Sequence, residues 1–246
     1  MTSALPRPDD PNRGRIAALG EVRPGPVELM IITAGYFTYS SLRIVVEGSF
    51  ERASTNSERV LDLERALGLD WELRAQAWVL ERDGWMMFWN AIYQWVYWPA
   101  VGLALLALFH LDRSKYRMLR NSLAISAAIG PVIFATFPVS PPRFLDGYVD
   151  TLATGGDRLL DEQDAFLNLY AAVPSFHVGW PALSAFVMAS GSRRIMVWVL
   201  AFIPAVFLAG AVIFTGNHFV LDAVAGLLVV AAARWAAGVI TPTEMP

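Results

Sequence analysis

The sequence predicts an all-α, polytopic membrane protein with six transmembrane helices and amphipathic helices on the membrane surface. Three observations predict it. Hydrophobic residues make up 55% of the 246-residue chain and charged residues only 17%, below the roughly 25% of an average soluble domain, and mean hydropathy is +0.43. Apolar stretches near the ~20 residues needed to cross the hydrocarbon core recur six times. Lys and Arg collect in alternate connections, as they do in the cytoplasmic loops of membrane proteins. The chain has no cysteine, which removes disulfides, thiol catalysis and thiolate metal ligation. No basic patch with interleaved aromatics exists to support nucleic-acid binding.

Residues 1–26 are polar and rich in Pro and Arg, and read as a disordered cytoplasmic tail. Residues 27–240 read as one six-helix membrane domain. Its first span is Val27–Glu47, weakened by Arg43 and Glu47 near its end. In Asn56–Leu80 the residues Leu61, Leu63, Ala66, Leu67, Leu69, Trp71 and Leu73 alternate with acids and arginines, which predicts one or two amphipathic helices on the membrane surface. The second span is Gly84–Leu111, with an aromatic cluster from Trp85 to Trp98 suited to the membrane–water interface. The third is Leu119–Phe137, interrupted by Gly130-Pro131. A second surface helix is expected over residues 157–169. The last three spans are Ser175–Ala189, which is short, Ile195–Thr215 and His218–Val239.

The loops orient the bundle. Arg113, Lys115, Arg117 and Arg120 stand between spans two and three, Arg193 and Arg194 between spans four and five, and Arg7, Arg13, Arg15 and Arg23 before span one. The segment from Ser49 to Asp83 instead sets five Arg against eight acids, and Val139 to Pro174 sets two against six. Both termini are therefore expected in the cytoplasm, with the acidic loops outside. The pattern fits a bacterial plasma membrane.

On this topology the polar residues able to do chemistry converge. His177 opens span four and His218 opens span six; both fall on the extracytoplasmic face, as does Arg143 beyond the end of span three. His110, the third and last histidine, falls at the opposite end of span two. Asp222 lies four residues after His218, on the same helix face. It can accept the proton of one imidazole nitrogen and leave the other as a nucleophile. His177 offers a general acid and base. Arg143 presents a planar fork matched to phosphate oxygens, held stiff by Pro141-Pro142. Ser175 adds a hydroxyl at a helix start, where free N–H groups favour an anion. The set suits transfer of a phosphoryl group through a covalent histidine. A metal reading competes, because His177, His218 and Asp222 form a two-His, one-carboxylate set. If Asp222 orients His218, however, only two ligands remain, so no metal or other cofactor is expected.

Three pieces carry a family resemblance: Phe137-Pro138-Val139-Ser140-Pro141-Pro142-Arg143-Phe144, Val173-Pro174-Ser175-Phe176-His177-Val178-Gly179-Trp180, and Thr215-Gly216-Asn217-His218-Phe219-Val220-Leu221-Asp222. In this order they resemble the type 2 phosphatidic acid phosphatase superfamily, over about Asn56 to Gly226. Within it the chain looks closest to the branch of inositol phosphorylceramide synthase, an inositol phosphotransferase. The resemblance implies a six-helix fold and metal-independent chemistry. By it, His218 is the nucleophile, Asp222 its partner and His177 the acid and base, while Arg143, Ser175 and Asn217 bind substrate.

The chain also departs from that pattern. Phosphatases of the superfamily typically carry a Lys seven residues before the arginine and a Ser-Arg pair shortly before the last histidine. Here those positions are Thr136, Ala211 and Val212. A site poorer in cations suits a singly charged phosphodiester better than a dianionic monoester, unless Arg43, Arg52 or Arg158 folds back to restore the charge. The expected function is transfer of a phospholipid headgroup phosphate, inositol-phosphate-like, to a lipid or polyol alcohol. Hydrolysis of a lipid phosphate or pyrophosphate at the same site is the alternative. A non-enzymatic transporter or scaffold fits less well, because the polar cluster lies at one surface rather than along a path.

Overall fold

The computed structural model describes residues 23, 25–154 and 168–240. Most of the expected tail, and the surface helix expected over residues 157–169 apart from Asn168 and Leu169, lie outside them. The described residues are all-helical: α1 (Gly25–Val45), α2 (Phe50–Leu67), α3 (Glu72–Leu80), α4 (Trp85–Trp95), α5 (Tyr97–Leu111), α6 (Arg113–Thr136), the one-turn α7 (Thr151–Thr154), α8 (Phe176–Ala189), α9 (Ile195–Phe214) and α10 (Val220–Ile240). A 3₁₀ turn covers Pro142–Phe144. Among these residues, α6, α9 and α10 are each long and apolar enough to cross a membrane. The pairs α1–α2 and α4–α5 pass that test jointly, but are bent by 98° and 41°. Three to five candidate spans follow, with the shorter apolar α8 besides.

Local chemistry explains the breaks. Pro99, the third residue of α5, has no N–H for the Trp95 carbonyl, and its ring crowds that carbonyl, so the long second apolar stretch kinks between α4 and α5. Asp112 caps α6 by accepting the Lys115 N–H at 3.0 Å. The basic residues expected in a loop before span three therefore form the first turns of α6. One of them, Arg120, donates to both carboxylate oxygens of the buried Glu28, at 2.6 and 2.8 Å, and the Tyr116 hydroxyl donates to the same carboxylate at 2.8 Å. A buried charge needs such partners, and here they fasten α1 to α6. Gly216, at φ 67°, ends α9. Its N–H bonds the Ile213 carbonyl at 3.0 Å, and the Asn217 N–H bonds that of Val212 at 2.9 Å. Glycine adopts this left-handed conformation without a Cβ penalty, so α9 stops and reverses directly into the His218 segment.

The amphipathic stretch Asn56–Leu80 forms α2 and α3, which place polar as well as apolar side chains on their buried faces. Asn56, Ser57 and Glu64 of α2 and Glu72 and Gln76 of α3 point inward and are buried. Leu63, Leu67, Trp71, Leu73 and Trp78 face outward. These helices use polar side chains to bind backbone. Asn56 Nδ2 donates to the Pro138 carbonyl at 2.8 Å and Ser57 Oγ to that of Ser140 at 2.9 Å. Gln76 makes two 2.9 Å bonds with the backbone of Val149. Their outer faces mix these apolar residues with the exposed Glu58, Arg59, Asp62, Arg65 and Arg74, a composition suited to the boundary between lipid and water.

Helix α8 is the centre of the bundle and packs on α5, α6, α9 and α10. Its crossing with α10 is close because both helices carry glycine there. A Cβ on Gly226 would stand 2.1 Å from the Ser175 carbonyl oxygen, and one on Gly179 would stand 2.9 Å from the Gly226 carbonyl oxygen. A Cβ on Gly102 of α5 would meet nothing within 4 Å. Gly226→Ala is therefore expected to cost about 1–3 kcal/mol as an overpacked contact and to lower the melting temperature in detergent. Gly102→Ala should be neutral or raise it, by the roughly 0.5–1 kcal/mol that Ala gains over Gly in a helix. Equal melting of the two variants would contradict the close crossing.

Candidate active site

The close crossing joins the two histidine segments. Ser175 is the N-cap of α8, and its N–H donates to the carbonyl of Asp222 at 2.9 Å. His177 sits in the first turn of α8, and its ring centroid is 5.8 Å from that of His218. The His177 ring stacks on Tyr93 at 4.6 Å and on Tyr97 at 4.4 Å. Tyr93, Tyr97 and Trp98 of the aromatic cluster expected at the membrane interface thus line the site, while Trp85 and Trp95 remain exposed.

His218 is 5% exposed and Asp222 is fully buried. Nδ1 of His218 lies 3.3 Å from Asp222 Oδ2. The same oxygen accepts the Phe219 N–H at 2.9 Å. Asp222 therefore closes the helix start from its third position, as the acid of a capping box does, while facing the imidazole. Two further carboxylates serve the same turn. Glu72 Oε1 accepts the Val220 N–H at 2.9 Å and Glu64 Oε1 the Leu221 N–H at 2.7 Å. Three N–H groups that a helix start leaves without partners are each met by an acid.

Arg143 reaches the site through the 3₁₀ turn. Its backbone N–H bonds the Gly216 carbonyl at 2.9 Å, its Nη1 donates to Asn217 Oδ1, and its Nε lies 3.3 Å from Asp150 Oδ2. Asn217 in turn donates through Nδ2 to Thr215 Oγ1 at 2.6 Å. A parallel bridge between Val139 and Ala171, with N–H···O bonds of 2.9 and 3.1 Å, ties the Arg143 segment to the strand-like stretch before Ser175. The Ser175 hydroxyl is buried and makes no hydrogen bond.

His177, His218, Arg143 and Asn217 line one cavity of about 590 Å³ that extends between α1 and the α4–α5 kink. Its wall includes Arg43, which is held by Asn168: Asn168 Nδ2 donates to the Arg43 carbonyl at 2.7 Å, and Arg43 Nη2 donates to the Asn168 carbonyl at 3.4 Å. Arg43 Nε is buried without a partner. Thr136 is exposed and spends its hydroxyl on the Val132 carbonyl at 2.7 Å, and Ala211 and Val212 are fully buried packing residues. Arg52 bonds the Thr136 carbonyl outside the cavity. His110 is likewise absent from the cavity wall, against Phe109 at the end of α5. Among the described residues, no group of three or more His, Cys, Asp or Glu is arranged to hold a metal ion.

Sequence reasoning passed over Glu64 and Glu72 as surface acids; Arg43, read both as a weakness of span one and as a cation able to fold back to the site, does line the cavity, whereas Arg158, read likewise, lies outside the described residues. The signal for Glu64 was present: Asn56, Val60 and Glu64 recur at helical spacing and define the buried face of α2.

Residues 58–236 match the model of a family described as the PAP2 superfamily. No curated protein and no solved structure matches the chain.

The geometry separates residues that hold the site from residues that only face it. Ser175→Ala removes a hydroxyl with no partner, so its melting temperature in detergent should stay within about 1 °C of the parent. Asn56→Ala leaves the Pro138 carbonyl buried and unpaired, a cost of about 1–3 kcal/mol, and should melt several degrees lower. A Ser175→Ala loss as large as that of Asn56→Ala would contradict the assignment.

Proposed function

The chain belongs to the PAP2 superfamily, and from that premise we propose that it is an integral membrane phosphotransferase, which moves the headgroup phosphate of a phospholipid to an alcohol through a phosphohistidine at His218. Superfamily members are phosphatases or phosphotransferases. The observation that carries the reading is the His218–Asp222 pair facing His177 across a 5.8 Å ring-to-ring gap. Asp222 fixes the proton on Nδ1 of His218, so Nε2 attacks phosphorus in line. The bond from phosphorus to the diacylglycerol-like oxygen breaks, and protonated His177 gives its proton to that oxygen. The acceptor alcohol then attacks the phosphohistidine. The P–N bond breaks, and His177 takes the hydroxyl proton. Arg143, Asn217 and the Ser175 hydroxyl hold the phosphoryl oxygens, and no metal takes part.

The charge of the cavity favours a phosphodiester. Arg43 and Arg143 bring two positive charges and Asp150 one negative, which matches a singly charged phosphate better than a dianion. Tyr36, Ser40, Gln94 and Asn168 add hydrogen-bonding groups to the wall, suited to a hydroxylated headgroup of the inositol type. These features support the branch that resembles inositol phosphorylceramide synthase. The second guanidinium also favours a phosphatase, with water as acceptor and a lipid phosphate or pyrophosphate as substrate.

Six crossings of a bacterial plasma membrane complete the reading. They are α1, the kinked α4–α5 pair, α6, α8, α9 and α10, with residues 1–26 as a cytoplasmic tail and residues 27–240 as the membrane domain. At 14 residues, α8 spans only about 21 Å. The site at its start then sits below the outer membrane surface, roofed by α2 and α3.

His218→Ala should lower turnover by roughly 1,000-fold or more while the protein still folds, and orthovanadate should inhibit the parent. Arg43→Ala should lower kcat/KM by about 10- to 100-fold, the worth of a charge-assisted hydrogen bond, and weaken orthovanadate in parallel. With phospholipid labelled in the headgroup phosphate, label should pass to added alcohols. Inorganic phosphate as the sole labelled product would overturn the transferase reading in favour of the phosphatase, and full activity of His218→Ala would overturn both.

A further inference from the structure

Glu64 and Glu72 are fully buried, sit on different helices outside the bundle proper, and converge on the first turn of α10. Each commits one oxygen to a backbone N–H of that turn. The other oxygens, Glu64 Oε2 and Glu72 Oε2, are buried with no other partner. Held on the adjacent N–H groups of Val220 and Leu221, the two carboxyl groups are brought together at one turn, and the charge of Glu72 acts on Glu64. Two ionised carboxylates cannot hydrogen-bond, because each is an acceptor only. A proton between them supplies the donor, satisfies both orphaned oxygens and removes one buried charge.

We propose that Glu64 and Glu72 share one proton and act as a positioning pair for His218, locking the Phe219–Leu221 turn between the nucleophile and its partner Asp222. The inference rests on His218 acting as proposed above. Neither glutamate lines the catalytic cavity, so neither touches substrate; they act through the backbone that carries the imidazole. With Asp222 they leave two negative charges at the start of α10, where the helix dipole favours them and where they stabilise the imidazolium or phosphohistidine.

The electrostatics agree with the geometry. Burial, the Glu72 carboxyl and the nearby Asp222 push Glu64 from an ordinary 4.5 up to about 9, against the lowering effect of the Leu221 N–H. Because the folded-state value is raised, the stability this proton contributes is full below about 4.5 and is lost as pH rises through about 9. The other titratable groups that act on the pair are Asp222 at the start of α10 and Tyr148 before α7; Asp222 in turn faces His218, and Tyr148 also feels Arg65 and Asp70. Loss of the shared proton sets two buried carboxylates against each other and loosens the turn that aims His218.

The test compares Glu64→Ala, Glu64→Gln and the parent enzyme in detergent with phospholipid substrate, across pH 6–10. Gln can accept the Leu221 N–H and donate to Glu72, so it mimics the protonated member permanently. Glu64→Ala should lose about 100-fold in kcat, the scale of a misplaced reacting group, with KM changed less than about threefold. Glu64→Gln should recover most of that loss, and its kcat relative to the parent should rise above pH 9, where the parent loses the shared proton. The ratio cancels any pH dependence common to both, including that of His177. A Gln variant as impaired as the Ala variant, or a ratio flat with pH, overturns the pair. If His218→Ala is active, the proposed function fails first; if it is inactive and the Glu64 ratios are flat, this inference fails alone.

Discussion

The N–H of Ser175 and the carbonyl of Asp222 meet at 2.9 Å, and the arrangement of the whole site depends on that contact. It requires two helix starts, those of α8 and α10, to lie almost backbone against backbone. Only glycine allows this: Gly226 leaves the space that a Cβ would take from the Ser175 carbonyl. Once the starts are joined, His177 and His218 face each other, while the N–H groups of Phe219, Val220 and Leu221 at the start of α10 are taken up by Asp222, Glu72 and Glu64. The Schellman-type end of α9 then delivers Asn217 and His218 to the site, and the Gly216 carbonyl in the same link receives the Arg143 N–H.

The outer helices extend this logic outward. Helices α2 and α3 pack through Asn, Ser, Glu and Gln and show leucines among charged residues on the outside, which suits the wall of a site at a lipid–water boundary. Their inward polar groups meet backbone that the irregular outer segments leave unpaired: the carbonyls of Pro138 and Ser140, both polar groups of Val149, and the N–H groups of Val220 and Leu221. Buried backbone must find partners, and at membrane depth water does not supply them. The site can therefore be built from loops and helix ends without being loose.

Much of this was legible in the sequence and some was not. Helix positions were, because twenty-residue apolar runs have few structural alternatives: the expected Ile195–Thr215 and the observed Ile195–Phe214 differ by one residue. The convergence of His177, His218, Asp222 and Arg143 was also legible, since loop charge placed their segments on one face. The kink at Pro99 was missed because the apolar run continues through it, although the proline itself marks the place. The buried polar face of α2 and α3 was missed for a physical reason. An amphipathic pattern shows that a helix has two faces, but not which face meets protein when the outside is lipid rather than water. Glu64 and Glu72 escaped notice with it, because a charged residue on an apparent surface helix usually meets solvent, and only the fold shows these two turned inward.

The account stands on His218 as a nucleophile held by Asp222. The most direct measurement is rapid acid- or base-quench of the enzyme during turnover of a phospholipid radiolabelled in its headgroup phosphate, followed by peptide mapping. The account predicts a transient label, stable in base and labile in acid, on the peptide that contains His218, formed in the parent and absent in His218→Ala. Turnover with no protein-bound label at any quench time, or label on a different residue, would contradict it.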